Sequence, residues 1–350
     1  MRIRERWISV LGPKNRSNLT RDRQLFPIGV VILHLKTLLK IGLCSLLAAA
    51  IFTPQAQAQH LTLEGQTGGF LTPTAYVVYS AKGQTFSHPA VGYHFIGASK
   101  VIGDIQTVSI TEGFANRAEA GYTRSVHLKG DSAAFSGLWD FAGMNIFHGK
   151  VVAIKDGQFK SWLPGVAVGG VVRTGDHFVS GALDGKTYTN GDVYVAATKL
   201  SIKPPVPFML NFGWKATNAS IFGIGGQSPR FGGRLFGGLG FPLPGPWKTA
   251  IVPSAGFTQQ PPTVKNLGPV STTSVYLIAG KAHLPTTMDY AVRITQAEHP
   301  HFSFDIGVGQ VAGNIGTTLV PTGVAANPYT PLVINLQARH VVGMGFSYRY

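Results

Sequence analysis

Between Arg117 and Leu128, six residues recur at every second position: Arg117, Glu119, Gly121, Thr123, Ser125 and His127. Ala118, Ala120, Tyr122, Val126 and Leu128 stand between them, with Arg124 the one charge among the apolar set. Successive side chains of a strand point to opposite faces, so one face carries acid, base, hydroxyls and imidazole while the other is apolar. Such a polar face can line a water-filled path or build interior ion pairs such as Arg117–Glu119. Ser125 and His127, two apart, also admit a nucleophile and its base. The chain has no Gly-x-Ser-x-Gly elbow to support that last chemistry. Glu298-His299-Pro300-His301 offers two histidines without an evident third ligand, so an exposed loop is expected there rather than a metal centre. Gly223-Ile224-Gly225-Gly226 and Gly232-Gly233 lack the Lys-Ser/Thr and helix of a phosphate loop; bends or close packing explain them better. No cofactor or metal is expected.

The elements that must carry these residues read as strands. Phe208, Leu210, Phe212, Trp214 and Ala216 alternate with Met209, Asn211, Gly213, Lys215 and Thr217. Met288 to Thr295 and Phe302 to Gly309 alternate in the same way. Two architectures share the pattern. In a soluble sandwich the apolar faces meet in a core; in a membrane barrel they face lipid. The C-terminal stretch helps to choose, because Val342, Met344, Phe346, Tyr348 and Tyr350 alternate with small or polar residues and the chain ends on an aromatic. That ending resembles the insertion signal of bacterial outer-membrane barrels, with Phe346, Tyr348 and Tyr350 as its residues and the barrel insertion machinery as its partner.

The expected fold is therefore all-β: a transmembrane antiparallel up-and-down barrel of about 12–14 strands. Candidate strands run from 70–79 and 85–98 through 104–112 and 116–128 to 273–284, 287–296, 301–311 and 333–350. Long and short connections alternate along most of the chain, but the alternation fails at the first hairpin and around His299-Pro300-His301. One N-terminal candidate is then expected to thread the lumen, where residues 59–69 are also placed. Trp162 and Trp247 fall in or beside short turns, where an aromatic girdle belongs.

The composition agrees with a membrane wall. Of 350 residues 44 are glycine, and hydrophobic residues make up 44% against only 13% charged, about half the charge of an ordinary soluble domain. The net charge of +15 would suggest nucleic acid only if the bases clustered. Residues 1–58 hold nine Lys/Arg and two acids, which leaves +8 spread singly over the rest. Nucleic acid is not an expected partner. That leader has a basic region with Lys36 and Lys40, an apolar run from Ile41 to Phe52, and a small-x-small site at Ala56-Gln57-Ala58. It reads as a cleaved signal peptide for the general secretory route, and a start near Val31 would give it ordinary length. Cys44, the one cysteine, lies inside the apolar run. A mature barrel of 59–350 would have neither disulfide nor thiolate site.

Three stretches resemble the bacterial family known as domain of unknown function 3034. They are Leu63-Glu64-Gly65-Gln66-Thr67-Gly68-Gly69-Phe70-Leu71-Thr72-Pro73-Thr74-Ala75, then Ser161-Trp162-Leu163-Pro164-Gly165-Val166-Ala167-Val168-Gly169, then Val193 to Leu200 continuing to Asn211 through Asn218. The match covers about half of the mature chain, while residues from about 230 to 330 depart from it. The resemblance implies an outer-membrane barrel and supplies no reaction. The Gly-rich start is also similar to barrels linked to exopolysaccharide secretion.

Charge on the lipid face near the midplane costs about 2–4 kcal/mol, so the charged faces must look inward. By that rule Arg117, Glu119, Thr123, His127, Asn211, Lys215, Lys281, His283, Asp289, Arg293 and Asp305 are the lumen-lining candidates. Arg124 must lie near a membrane edge, where it can snorkel. The leading expectation is a passive pore or transporter for a small or hydrophobic solute in the outer membrane of a Gram-negative-type bacterium, with an excess of base favouring anions. A structural component of envelope polysaccharide export and a lipid-modifying enzyme are the alternatives. Whether the inward charges line an open path or fill the barrel stays open at this point.

Overall fold

The structure is a computed structural model. It describes residues 60–97, 103–128, 143–175, 188–202, 206–219, 221–223, 227–261, 277–278, 286–296, 301–311, 314–321, 329–335 and 340–350. The alternating segments form twelve long strands: β1 (Ala90–Gly97), β2 (Asp104–Phe114), β3 (Ala118–Leu128), β4 (Gly143–Ile154), β5 (Gly165–Gly175), β6 (Tyr188–Ser201), β7 (Phe208–Ala219), β8 (Gln227–Gly240), β9 (Thr249–Thr258), β10 (Thr287–Gln296), β11 (Phe302–Val311) and β12 (His340–Arg349). Each pairs antiparallel with its neighbours in sequence. β1 pairs with β12 from Ala90↔Arg349 to Gly97↔Val342, which closes the sheet. Closure satisfies the edge N–H and C=O groups that hydrocarbon cannot. No helix among the described residues is long and apolar enough to cross a membrane.

Side chains sort by parity. Val108, Phe147, Val172, Val193, Phe212 and Ile306 are exposed on the outside. Their neighbours Thr107, His148, Arg173, Asp192, Asn211 and Asp305 are buried inside. This inverts a soluble protein and places an apolar belt where lipid would be. Trp162 (67% exposed) and Trp247 (92% exposed) lie in the β4–β5 and β8–β9 connections at one end of the barrel. Arg124, on the outer face, donates to Asn145 Oδ1 (3.0 Å) and lies over Gly143, the first residue of β4, so its charge reaches toward the opposite end. Two inward glycines make room for the largest interior rings: Tyr194 lies across Gly169 and Phe236 across Gly213.

One candidate strand, and the described part of a second, are not part of the wall. Residues 70–79 run inside the barrel, as the contacts below show. Of 273–284 only Leu277–Ile278 is described, and it pairs with Asn314–Pro321, which pairs with Tyr329–Asn335 in a separate small sheet. The last candidate, 333–350, divides between that sheet and β12. With these segments removed, the connections after β2, β4, β6, β8 and β10 lie at one end, here the turn end. Those after β1, β3, β5, β7, β9 and β11 lie at the other, the loop end. The break in alternation came from counting interior and loop segments as wall.

The lipid face makes a direct prediction. Val195 is exposed and sits midway along β6. Val195→Arg is expected to cost about 2–4 kcal/mol in urea unfolding from vesicles, and Val195→Leu almost nothing. Equal unfolding midpoints for both would contradict the lipid assignment.

Candidate functional site: a hairpin inside the lumen

Residues 60–80 are almost continuously buried. The segment rises from the turn end, reverses at Glu64-Gly65 and descends again. Thr62 N–H donates to Gln66 O (2.7 Å), Gly65 N–H to Thr62 O (2.8 Å), and Leu61 bridges Thr67 antiparallel. A second reversal follows, with Gly69 N–H donating to Thr72 O (2.8 Å). The segment leaves at the turn end, where Ala115 N–H donates to Thr85 O (2.6 Å) and residues 81–86 are exposed. The first turn needs its glycine. Gly65 has φ +87°, and a Cβ there would stand 3.1 Å from both His148 Nε2 and Ser109 Cβ.

The wall grips this hairpin through polar atoms around its circumference. From β2, Thr111 Oγ1 donates to Gly65 O (2.6 Å); from β3, Thr123 Oγ1 donates to Glu64 O (2.9 Å). β6 and β7 act together: Thr198 Oγ1 accepts from Ala75 N (2.8 Å), and Asn211 Nδ2 donates to Pro73 O (2.9 Å). From β12, Ser347 Oγ accepts from Leu61 N (3.2 Å).

Three ionic clusters carry the strongest contacts. Glu119 of β3 accepts from Thr67 N (2.9 Å), Thr67 Oγ1 (2.5 Å) and Val78 N (3.0 Å), and pairs with Lys150 of β4 (3.1 Å). Lys150 Nζ donates in turn to Thr67 O and Thr74 O, each at 2.9 Å. Arg173 of β5 holds Glu64 bidentately, Nε to Oε1 at 2.5 Å and Nη2 to Oε2 at 2.8 Å, and also meets Asp192 of β6 at 2.8 Å. At the third, His60 Nε2 lies 2.7 Å from Asp305 Oδ2, Arg293 Nε donates to Asp305 Oδ1 (2.9 Å), and Arg293 Nη2 donates to Gly68 O (3.2 Å). Near the turn end Tyr76 donates to Asp156 (3.0 Å), which also pairs with Lys199 (2.6 Å). Burial, then the Asp156 charge, push the Tyr76 phenol far above its ordinary range, so it stays a donor.

The sequence candidates divide as follows. Glu119, Thr123, His127, Asn211, Lys215, Asp289 and Asp305 are buried inside, and Arg293 is half-buried beside Asp305. Arg117 departs from the expectation. It sits in the β2–β3 turn and donates to Val152 O, Ala153 O and Gln158 Oε1, so the Arg117–Glu119 pair is replaced by Lys150–Glu119. Arg293 of β10 pairs with Asp305 of β11. Lys281 and His283 lie outside the described residues, as do His299 and Pro300. Phe346, Tyr348 and Tyr350 are exposed on the outer face. Ser125 Oγ stands 3.1 Å from His127 Nε2, but both face the lumen, whereas a lipid hydrolase needs them on the outer wall. No cluster of three His, Cys, Asp or Glu able to hold a metal occurs among the described residues.

Sequence reasoning passed over Arg173, Lys150 and Asp192, as well as His60 and Glu64 in the hairpin. Arg173 was accessible to the parity rule, since Val168 and Val172 mark the outer face of β5. Lys150 was masked because its inward neighbours on β4 include Met144 and Ile146.

Gly65→Ala forces a side chain into a left-handed conformation and toward the wall. It is expected to loosen the hairpin by about 1–3 kcal/mol. Faster maleimide labelling of a cysteine at Ala75, a buried hairpin position, would register this; an unchanged rate would not fit.

No curated protein matches the chain. Among solved structures it is similar to the KdgM porin (10% identity, 75% of this chain and 99% of that one, TM-score 0.42). It is similar also to the NanC porin (10%, 75% and 100%, TM-score 0.40) and to the CymD monoaromatic hydrocarbon channel (10%, 76% and 89%, TM-score 0.32). Residues 58–234, which take in the hairpin and the wall from β1 into β8, match the family described as Protein of unknown function (DUF3034), and the chain belongs to that family.

Proposed function

We propose that the protein is an outer-membrane pore for small solutes that is closed by its own hairpin, residues 60–80. In this reading the leader of residues 1–58 is removed after secretion, the turn end faces the periplasm, and the hairpin enters from that side. One observation carries the proposal: beside its apolar contacts, the hairpin is tied to the wall by three buried ionic clusters and a ring of hydrogen bonds. A permanent filler is served as well or better by apolar packing, because buried ion pairs roughly cancel their own desolvation cost. Polar contacts can be exchanged for water, and the wall left behind is wettable. A hydrolase reading is not supported by Ser125 and His127, which face the lumen.

A second reading, a permanently closed barrel serving envelope assembly, is favoured by how completely the hairpin fills the lumen. The space left beside Glu64, Asp192, Tyr194 and Lys215 is about 10 Å³, enough for one water. Solute uptake by liposomes separates the two. The full chain is expected to admit small sugars slowly, and a chain lacking residues 60–80 rapidly. Equal exclusion by both, with each folded by heat-modifiable migration, would favour the closed barrel.

A further inference from the structure

We infer that Arg173 and the wall around it form a binding site for the carboxylate of a small organic acid, kept filled at rest by Glu64 as the barrel's internal ligand. The inference rests on the pore reading and names the solute class of that pore.

The geometry is that of carboxylate recognition. Both oxygens of Glu64 meet the Nε and Nη2 edge of the guanidinium, at 2.5 and 2.8 Å. A planar fork of this kind selects carboxylates over spherical anions. Glu64 belongs to the hairpin, as do Gln66, Leu71 and Pro73 beside it, whereas Arg173, Asp192, Tyr194, Lys215, Phe222 and Phe236 belong to the wall or its loops.

Without Glu64 the wall is left with excess positive charge. Arg173 on β5 and Lys215 on β7 supply two cations. Asp192 is the wall carboxylate that faces them, 2.8 Å from Arg173 and 3.7 Å from Lys215. The site therefore calls for one further negative charge, and the hairpin supplies it.

The site also has unused polar capacity. Among the described residues, Asn190 Nδ2 and Tyr194 Oη are buried without a hydrogen-bond partner. Asp192, Tyr194, Lys215 and Glu64 border the same 10 Å³ space, with Phe222 and Phe236 as its apolar sides. A buried donor or acceptor without a partner costs free energy. Here such groups stand beside an Arg–carboxylate fork and two rings, an arrangement that suits an organic acid whose body carries a ring or hydroxyls. A solute acid arriving at Arg173 must displace Glu64, which weakens the hairpin's hold at its tip and couples binding to opening.

The test uses the full chain with Cys44→Ser and Ala75→Cys, reconstituted in vesicles, and reads the rate of maleimide labelling at the hairpin. Sodium benzoate is expected to raise the rate by about tenfold, the effect of roughly 1.4 kcal/mol of competition. Benzamide and sodium chloride at matched concentration and ionic strength are expected to leave it unchanged. Glu64→Gln, which keeps the shape and removes the charge, is expected to raise the basal rate. A benzoate effect no larger than that of chloride, with Glu64→Gln labelling faster, would overturn the carboxylate site and leave the hinged plug standing. Slow labelling under every condition, Glu64→Gln included, would overturn the inference as well. The pore reading would then be judged separately by uptake through the chain lacking residues 60–80.

Discussion

Glu119→Ala is expected to release the hairpin while the barrel stays folded. Glu119 is buried (3% exposed) and satisfies Thr67 N, Thr67 Oγ1, Val78 N and Lys150 together. Truncation leaves a buried ammonium without its counter-charge and two backbone donors without an acceptor. Breaking a buried pair from one side costs about 3–5 kcal/mol. The wall can avoid most of that cost in one way, by letting the hairpin leave so that water reaches Lys150. The twelve-strand ladder is untouched, because Glu119 contributes its side chain and not its backbone pairing with Gly113 and Lys150. The expected result is normal heat-modifiable migration with rapid labelling of Ala75→Cys. Loss of the folded barrel, or labelling as slow as in the parent, would contradict the assigned role. Glu119→Gln should fall between, since one carboxamide oxygen still accepts.

Arg173→Ala is the second large effect. Arg173 is fully buried and is the shared partner of Glu64 and Asp192. Its removal sets two buried carboxylates near each other with Lys215 left to offset them, again about 3–5 kcal/mol. Asp192 is fixed in β6, so Glu64 is the group that can leave. The tip of the hairpin is then expected to withdraw first. Combining Arg173→Met with Glu64→Met should restore slow labelling, because an apolar pair of similar volume replaces an ion pair at little cost. If the double variant labels as fast as the single one, the Glu64–Arg173 contact is not what seats the tip.

Much of this wall was legible in the sequence, because lipid imposes a rule with few exceptions. The segments from Phe208 to Thr217 and from Phe302 to Gly309 each point their charged or polar members inward, as period-two alternation requires. Even Arg124 obeys, by reaching along Gly143 toward the loop end. The errors have a common cause. Alternation says which face a residue takes only while it lies in a wall strand, and Arg117 lies one residue before β3 begins. Residues 70–79 have strand-like composition yet run inside the barrel, and Leu277–Ile278 pairs in the separate small sheet; no local pattern separates such segments from the wall. The ionic partners were less legible still. Lys150 and Glu119 meet because β3 and β4 are in register, and Glu64 reaches Arg173 from 109 positions away in the sequence. Such contacts depend on closure of the barrel and on a hairpin inside it, which are properties of the whole chain.

Residues 60–80 are proposed to close a lumen that would otherwise conduct. Single-channel recording in planar bilayers tests it most directly, comparing the full chain with one lacking those residues. A closed state with rare openings is expected for the full chain and steady ohmic conductance for the shortened one. A shortened barrel that inserts, migrates as folded and carries no current would contradict it.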